Sequence, residues 1–165
     1  GAAQGALARV EKYRKCDRSN PYAGSGCYWE HERSLVAASV YIKKHAGPND
    51  VVLAWRISSV YLFSGHRGES ATLVRRIPTG TIADTMRARG IRYALLTGTN
   101  RFEKGPLATA LRESCRNFRV VARFAPSTLL VTPAEPGDLA TNACAAIAQF
   151  QRDNPDVQRD EKWME

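Results

Sequence analysis

The 165-residue sequence lacks any apolar run long enough to cross a membrane. A membrane-spanning helix needs about 20 predominantly apolar residues, whereas the longest such stretch, residues 35–42, is short and interrupted by Ser39. We therefore predict that these residues form a soluble unit. Hydrophobic residues make up 44% of the chain, which is ordinary for a folded protein, and the length suits one compact domain rather than two large ones.

The sequence also lacks the local motifs of common enzyme and cofactor sites. A dinucleotide site needs Gly-x-Gly-x-x-Gly between a strand and a helix, but residues 56–60, which follow the first predicted strand, contain no glycine. No P-loop, no His-Glu-x-x-His zinc motif and no Gly-x-Ser-x-Gly nucleophile elbow occurs. We accordingly predict no cofactor, no metal site and no catalytic residue in this chain.

Histidine is scarce, with only His31, His45 and His66 in the chain. His45 lies in the last turn of a predicted helix, where a cation favours the helix dipole. His66 follows a predicted turn near strand ends. Pairing His66 with a serine such as Ser58 leaves open an unrecognised hydrolase, but a solvated loop histidine is the simpler interpretation.

Four cysteines are present, and none forms a Cys-x-x-Cys pair, which argues against zinc and thioredoxin-like redox chemistry. Cys16 and Cys27 bracket a turn-rich loop, whose closure contributes about 3 kcal/mol by the chain-entropy relation. Cys115 and Cys144 lie on two predicted helices. We predict two disulfides, 16–27 and 115–144, and hence an oxidising compartment. Four buried thiols in a cytosolic protein are the alternative.

The formal charge of +8 is concentrated in the middle of the chain. Residues 51–132 carry thirteen basic and four acidic side chains, and twelve of those bases are arginine. Residues 133–165 are net acidic, with three basic and seven acidic side chains. Arginine suits bidentate contact with phosphate or carboxylate, so the middle segment favours an anionic partner. Because the bases are not clustered in runs and no aromatic–basic signature occurs, we predict no nucleic-acid binding.

Helical and strand patterns alternate along the chain and end in a hairpin pattern. The predicted helices cover about residues 29–46, 58–63, 81–90, 106–115 and 138–151. The predicted strands cover about residues 51–55, 72–74, 93–97, 118–124 and 128–132. This order predicts an α/β fold, with a mainly parallel sheet flanked by helices and an antiparallel C-terminal hairpin. We divide the chain into an N-terminal arm with a cystine loop (1–28), a single α/β domain (29–151) and a mobile tail (152–165).

Basic side chains follow the predicted strands. Arg56 comes after the first strand, His66 and Arg67 lie in the next loop, and Arg75 and Arg76 come after the second strand. Ligands of open α/β sheets gather outside the carboxyl ends of parallel strands. These residues therefore predict a cationic rim for a phosphate, a lipid head group or an acidic sugar. The alternative is that the arginines only keep that edge soluble.

The order of these features resembles the soluble domain at the C-terminal end of large multi-spanning bacterial membrane glycosyltransferases. Those proteins are similar to the protein mannosyltransferases and the aminoarabinose transferases of lipid A. The resemblance covers about residues 29–132, and it rests on Trp29, YIKKH (41–45), GPNDVVLA (47–54), SVYLFSGHR (59–67) and MRARGIRYALL (86–96).

The resemblance implies a non-catalytic extracytoplasmic accessory domain, at the periplasmic or extracellular face, tethered to a transmembrane enzyme that uses a polyprenyl-phosphate-linked sugar. Its partners would be the transmembrane part of that protein and an anionic lipid or lipid-linked sugar. The family's acidic catalytic residues belong to the membrane part, and none maps onto this chain. The Cys16–Cys27 segment and the helix after Pro136 have no counterpart in the family. A stand-alone exported binding protein for a small anionic ligand is therefore the alternative.

Overall fold

The computed structural model describes residues 30–78, 80–135 and 142–155. The predicted arm, including the Cys16–Cys27 pair, lies outside these residues, as do residues 156–165 of the predicted tail. The α-helices of the described part are α1 Glu30–His45, α2 Ile57–Ser64, α3 Ile82–Ala88, α4 Ala108–Glu113 and α5 Cys144–Asp153. Its strands are β1 Val51–Ala54, β2 Gly68–Ser70, β3 Ile91–Thr97, β4 Phe118–Phe124 and β5 Thr128–Pro133.

The five strands form one sheet in the order β2-β1-β3-β5-β4. β1 pairs in parallel with β2 and β3, and Val52 lies opposite Tyr93. β5 runs antiparallel to both β3 and β4, and Val131 is the residue opposite Ala94. The α/β prediction is thus confirmed at the level of a mixed sheet, in which β1, β2 and β3 form a parallel core and β5 pairs antiparallel with both of its neighbours.

Helices cover both faces of the sheet, which explains why β1 is buried at every position. On one face, α1 and α2 pack with Leu35, Ile42 and Val60 against side chains of β1, β3 and β5. On the other face, α3, α4 and α5 pack with Met86, Leu111 and Ile147 among the buried residues. No helix in the described ranges has the length and apolar content needed to span a membrane.

The second strand differs from its prediction. Residues 72–74 belong to a 3₁₀ helix, Ala71–Arg75, and the strand is Gly68–Ser70 instead. The Ser70 side chain accepts a hydrogen bond from the Thr72 backbone N–H at 3.3 Å, which turns the chain out of the strand. Gly68 is required at the strand start because a Cβ there would lie 2.7 Å from the Cβ of Ile57.

The Cys115–Cys144 disulfide is present, with the two Cα atoms 4.8 Å apart. It joins the chain just after α4 to the first residue of α5. α5 ends at Asp153, and the following Asn154 is buried.

Candidate functional site at the carboxyl edge of the sheet

The neighbouring strands β1 and β3 send the chain to opposite faces of the sheet. After β1 the chain passes through Trp55 and Arg56 into α2 on one face, and after β3 it passes through residues 98–102 towards α4 on the other. Such a topological switch point is where open α/β sheets bind ligands. We refer to the end of the sheet where β1 and β3 finish as the carboxyl edge.

Glu103 lies at this switch point and is only 1% exposed. It is the first residue of a π turn, Glu103–Leu107, that contains Pro106 and leads into α4. The Asn100 side chain holds the first residue of the turn with two hydrogen bonds, because its Oδ1 accepts from the Glu103 backbone N–H at 3.0 Å and its Nδ2 donates to the Glu103 carboxylate at 2.8 Å. The helix predicted from Pro106 therefore begins in this wider turn.

The Glu103 carboxylate also accepts hydrogen bonds from both strand ends. The Thr97 hydroxyl at the end of β3 donates to it, and the Thr99 hydroxyl is 3.4 Å away. The backbone N–H of Trp55, directly after β1, donates as well. Burial raises the pKa of Glu103 to about 7, although these hydrogen bonds and the charge of Arg56 act in the opposite direction.

A carboxyl group with a pKa near neutrality suits proton transfer, but Glu103 is buried and its hydrogen-bond partners are groups of the protein itself. Glu103 therefore has a structural role, because its hydrogen bonds connect the loop after β3 to Trp55. The sequence predictions missed this residue. An acidic side chain three residues after Asn100, just beyond a buried strand, is the local signal that would have indicated it, since this spacing is typical of a side-chain cap.

Aromatic rings extend the site to the surface. The rings of Trp55 and Phe102 stack with their centroids 4.7 Å apart and an interplanar angle of 23°. The Arg75 guanidinium lies 4.8 Å from the centroid of the same Phe102 ring. The indole of Trp55 is thus held by its stacked neighbour and by the hydrogen bond of its backbone to Glu103, while 42% of the residue is exposed.

An exposed apolar surface continues from Trp55 along α2. We call it the α2 surface; its members are Trp55, Ile57, Tyr61 and Leu62. Tyr61 is 63% exposed and Leu62 is 75% exposed. The α2 helix ends at Gly65, whose φ of 76° is the left-handed conformation that glycine adopts most readily.

The structure places the five predicted rim residues at different edges. Arg56 and Arg75 lie at the carboxyl edge, where Arg56 pairs with Glu32 at 3.8 Å. His66 and Arg67 immediately precede β2, which is parallel to β1, and they therefore lie at the amino edge.

His66 Nδ1 lies 3.3 Å from the backbone oxygen of Asp50, the residue before β1. Arg76 is exposed directly after the 3₁₀ helix. The prediction that all five residues form a single rim is therefore wrong. In two neighbouring parallel strands, the loop before one strand and the loop after the other lie at opposite edges of the sheet. Anion binding by these residues stays a prediction.

Ser58 lies in the first turn of α2, whereas His66 follows the Gly65 cap at the other end of that helix. The hydrolase pairing considered for them would need direct contact. Within the described ranges no group of three or more His, Cys, Asp or Glu side chains is placed to hold a metal ion.

Comparison of the chain with known protein families, with curated proteins and with solved structures finds no match. Any function proposed for it therefore rests on its own residues and on the resemblance described in the sequence analysis.

Proposed function

We propose that this chain is a non-catalytic extracytoplasmic accessory domain of a membrane glycosyltransferase-like protein that uses a polyprenyl-phosphate-linked sugar. Its role is to dock a partner or to shape acceptor binding, and its first partner is the transmembrane part of the parent protein. The observation that carries this proposal is the α2 surface, where Tyr61 and Leu62 are exposed on the helix that follows Trp55.

The α2 surface supports a docking role because contiguous apolar side chains on a domain surface mark sites of interaction. Its geometry also favours docking over the binding of a small ligand. Tyr61 and Leu62 are largely exposed side chains of a surface helix, while the polar group at the switch point, Glu103, is occupied by bonds within the domain.

The Cys115–Cys144 disulfide supports an extracytoplasmic location. Structural disulfides persist in the periplasm and outside the cell and are rare in the reducing cytosol. The resemblance of residues 29–132 to the soluble domains of membrane glycosyltransferases supports the same location and supplies the class of parent protein.

The proposal is tested by following the product of the complete native reading frame in cells. We expect it in the membrane fraction after a carbonate wash, with this domain open to protease from the extracytoplasmic side. Membranes carrying Leu62→Asp in that product should transfer less sugar from the polyprenyl-phosphate donor than membranes carrying Ala145→Asp, a matched charge change on an exposed residue of α5. A cytosolic product with reduced thiols would contradict the proposal.

The second candidate is a stand-alone exported binding protein for a small anionic ligand. Arg56 and Arg75 favour it, since both lie at the carboxyl edge where such sheets bind ligands. It predicts a product released with the soluble periplasmic fraction. It also predicts that Arg75→Gln weakens anion binding by the purified chain, whereas Arg112→Gln on α4 leaves that binding unchanged.

A further inference from the structure

We infer that the α2 surface docks on the anionic lipid surface of a membrane, with α2 lying flat in the head-group region. This inference deepens the proposed function, on which it rests, by naming lipid as the partner of this surface.

The α2 helix has the two faces of an interfacial helix. Ile57 and Tyr61 are four residues apart, so they stack on one side, and Leu62 lies beside Tyr61. Val60 and Ser64 point inward and are buried against the domain. The exposed side is therefore apolar for the whole length of the helix, apart from its serine hydroxyls.

The residue types of the α2 surface match the membrane interface. Tryptophan and tyrosine rings favour the level of the lipid head groups, and leucine and isoleucine favour the acyl boundary below it. In the described part of the chain this surface has four large apolar side chains, whereas a protein interface involves about 20 to 30 residues on each partner. Insertion at a bilayer surface needs no complementary shape, and its strength grows with buried apolar area and attraction to anionic lipid.

A basic residue lies near each end of the α2 helix. Arg56 precedes α2 and Arg67 follows it after the Gly65 cap, and Arg67 is exposed. The ion pair of Arg56 with Glu32 is long, at 3.8 Å, and partly exposed, so it contributes little in water and lipid phosphate can replace it. The charge is thus complementary to an anionic leaflet, which attracts each nearby Lys or Arg.

The domain presents this surface in a fixed geometry. Trp55 is held by Phe102 and by Glu103, and Ile57 packs so closely on β2 that only glycine fits at position 68. Docking therefore costs little conformational entropy. In a tethered domain even weak attachment is effective, because the tether keeps the local lipid concentration high.

The experiment uses the oxidised 165-residue chain with Trp29→Phe and Trp163→Phe, which leaves Trp55 as the only tryptophan. The chain is mixed with vesicles of phosphatidylcholine alone or with an equal part of phosphatidylglycerol. We expect a blue shift of Trp55 emission with the anionic vesicles and quenching by lipids brominated on the acyl chain near the head group. Partitioning should be at least tenfold stronger to the anionic vesicles than to phosphatidylcholine.

Two sets of variants separate the contributions of apolar side chains and of charge to vesicle binding. Leu62→Asp should weaken partitioning about tenfold or more, because it removes one fully insertable leucine. Ala145→Asp adds the same charge on α5, behind the opposite face of the sheet, and should retain most of the binding. The double change Arg56→Gln and Arg67→Gln should reduce the preference for anionic vesicles while leaving the weak binding to phosphatidylcholine unchanged.

The inference is overturned if Trp55 emission neither shifts nor is quenched with the anionic vesicles, or if Leu62→Asp and Ala145→Asp partition equally. If vesicle binding fails while the native product is found at the membrane, the α2 surface docks on protein and the proposed function stands. A cytosolic native product would instead remove the proposed function itself.

Discussion

The Thr97 hydroxyl, at the end of β3, donates a hydrogen bond to the buried carboxylate of Glu103. The same carboxylate accepts from the backbone N–H of Trp55, directly after β1. One acidic side chain thereby joins the ends of two parallel strands at the point where the chain departs to opposite faces. The exposed Trp55 of the α2 surface is positioned by a group that is itself almost inaccessible to water.

This burial makes the stability of the domain depend on pH. The pKa of Glu103 is about 7 in the folded protein, against 4.5 as the ordinary value. The folded state therefore binds more protons than the unfolded state between these values. The contribution of Glu103 is fully present below pH 4.5 and is lost as the pH rises to 7, by up to about 3 kcal/mol. Urea unfolding at pH 5 and pH 8 measures the loss.

The matched variant for this pH dependence is Glu103→Gln, which has the same shape but does not titrate. We expect the difference in unfolding free energy between pH 5 and pH 8 to shrink by the contribution of Glu103. Parallel pH profiles for the native chain and Glu103→Gln would show that the carboxyl group does not titrate in this range.

Thr97→Val tests the hydrogen bond itself. Loss of the hydroxyl removes a donor that favours the ionised carboxylate, so the pKa of Glu103 should rise further. We expect a loss of about 1–2 kcal/mol at pH 8 and a smaller loss at pH 5, where Glu103 is mostly protonated. Thr109→Val, at an exposed position of α4, is the control and should show no such difference. An equal loss at both pH values would contradict a role through Glu103.

The Cys115–Cys144 disulfide closes a loop with a sequence separation of 29 residues. In a chain carrying Cys16→Ser and Cys27→Ser, further replacement of both cysteines by serine should lower the free energy of unfolding by about 3–4 kcal/mol. Reductant should lower the stability of the first chain by a similar amount and leave the second unchanged. Free alkylation of Cys115 and Cys144 without reductant would refute the disulfide.

Intact mass after alkylation also tests the predicted Cys16–Cys27 pair. The native chain should show no free thiol before reduction and four afterwards. Two thiols that react without reductant would leave only one disulfide, and peptide mapping would identify it.

The loop after β3 passes close to Ser127 and Asn154 at Gly98, and a substitution of Gly98 tests this close packing. A Cβ at this position would meet the Asn154 side-chain oxygen and lie 2.7 Å from the Cβ of Ser127. We expect Gly98→Ala to destabilise the domain by about 1–3 kcal/mol in urea unfolding. Gly47→Ala is the control, because its Cβ would meet only Asp50, at an ordinary 3.5 Å. Equal stability of the two variants would show that Asn154 moves aside freely.

Several elements were predictable because local patterns determine them. Leu35, Ala38 and Ile42 share one helix face, and Gly47-Pro48 ends that helix, so the prediction of 29–46 agrees closely with Glu30–His45. The apolar run of β1 predicted burial on both faces. Of the two predicted disulfides, the structure contains Cys115–Cys144.

Two predictions differ from the structure, one for a local reason and one for a tertiary reason. The 72–74 segment is apolar enough for a strand, but the Ser70 side chain turns the backbone there into a 3₁₀ helix. The sequence predicts His66 and Arg67 at the same edge as Arg56, whereas the direction of β2 places them at the opposite edge of the sheet.

The sequence by itself determined the periodicities, hence the helices, the buried strands and the α/β class. Only the tertiary structure decided which loops share an edge and what Glu103 does. Burial raises its pKa, and the donors that oppose this shift include the Thr97 hydroxyl and the backbone of Trp55, a residue distant in sequence. A carboxyl group in solution has no such environment, because it is the packing of two strand ends that removes water and supplies the donors.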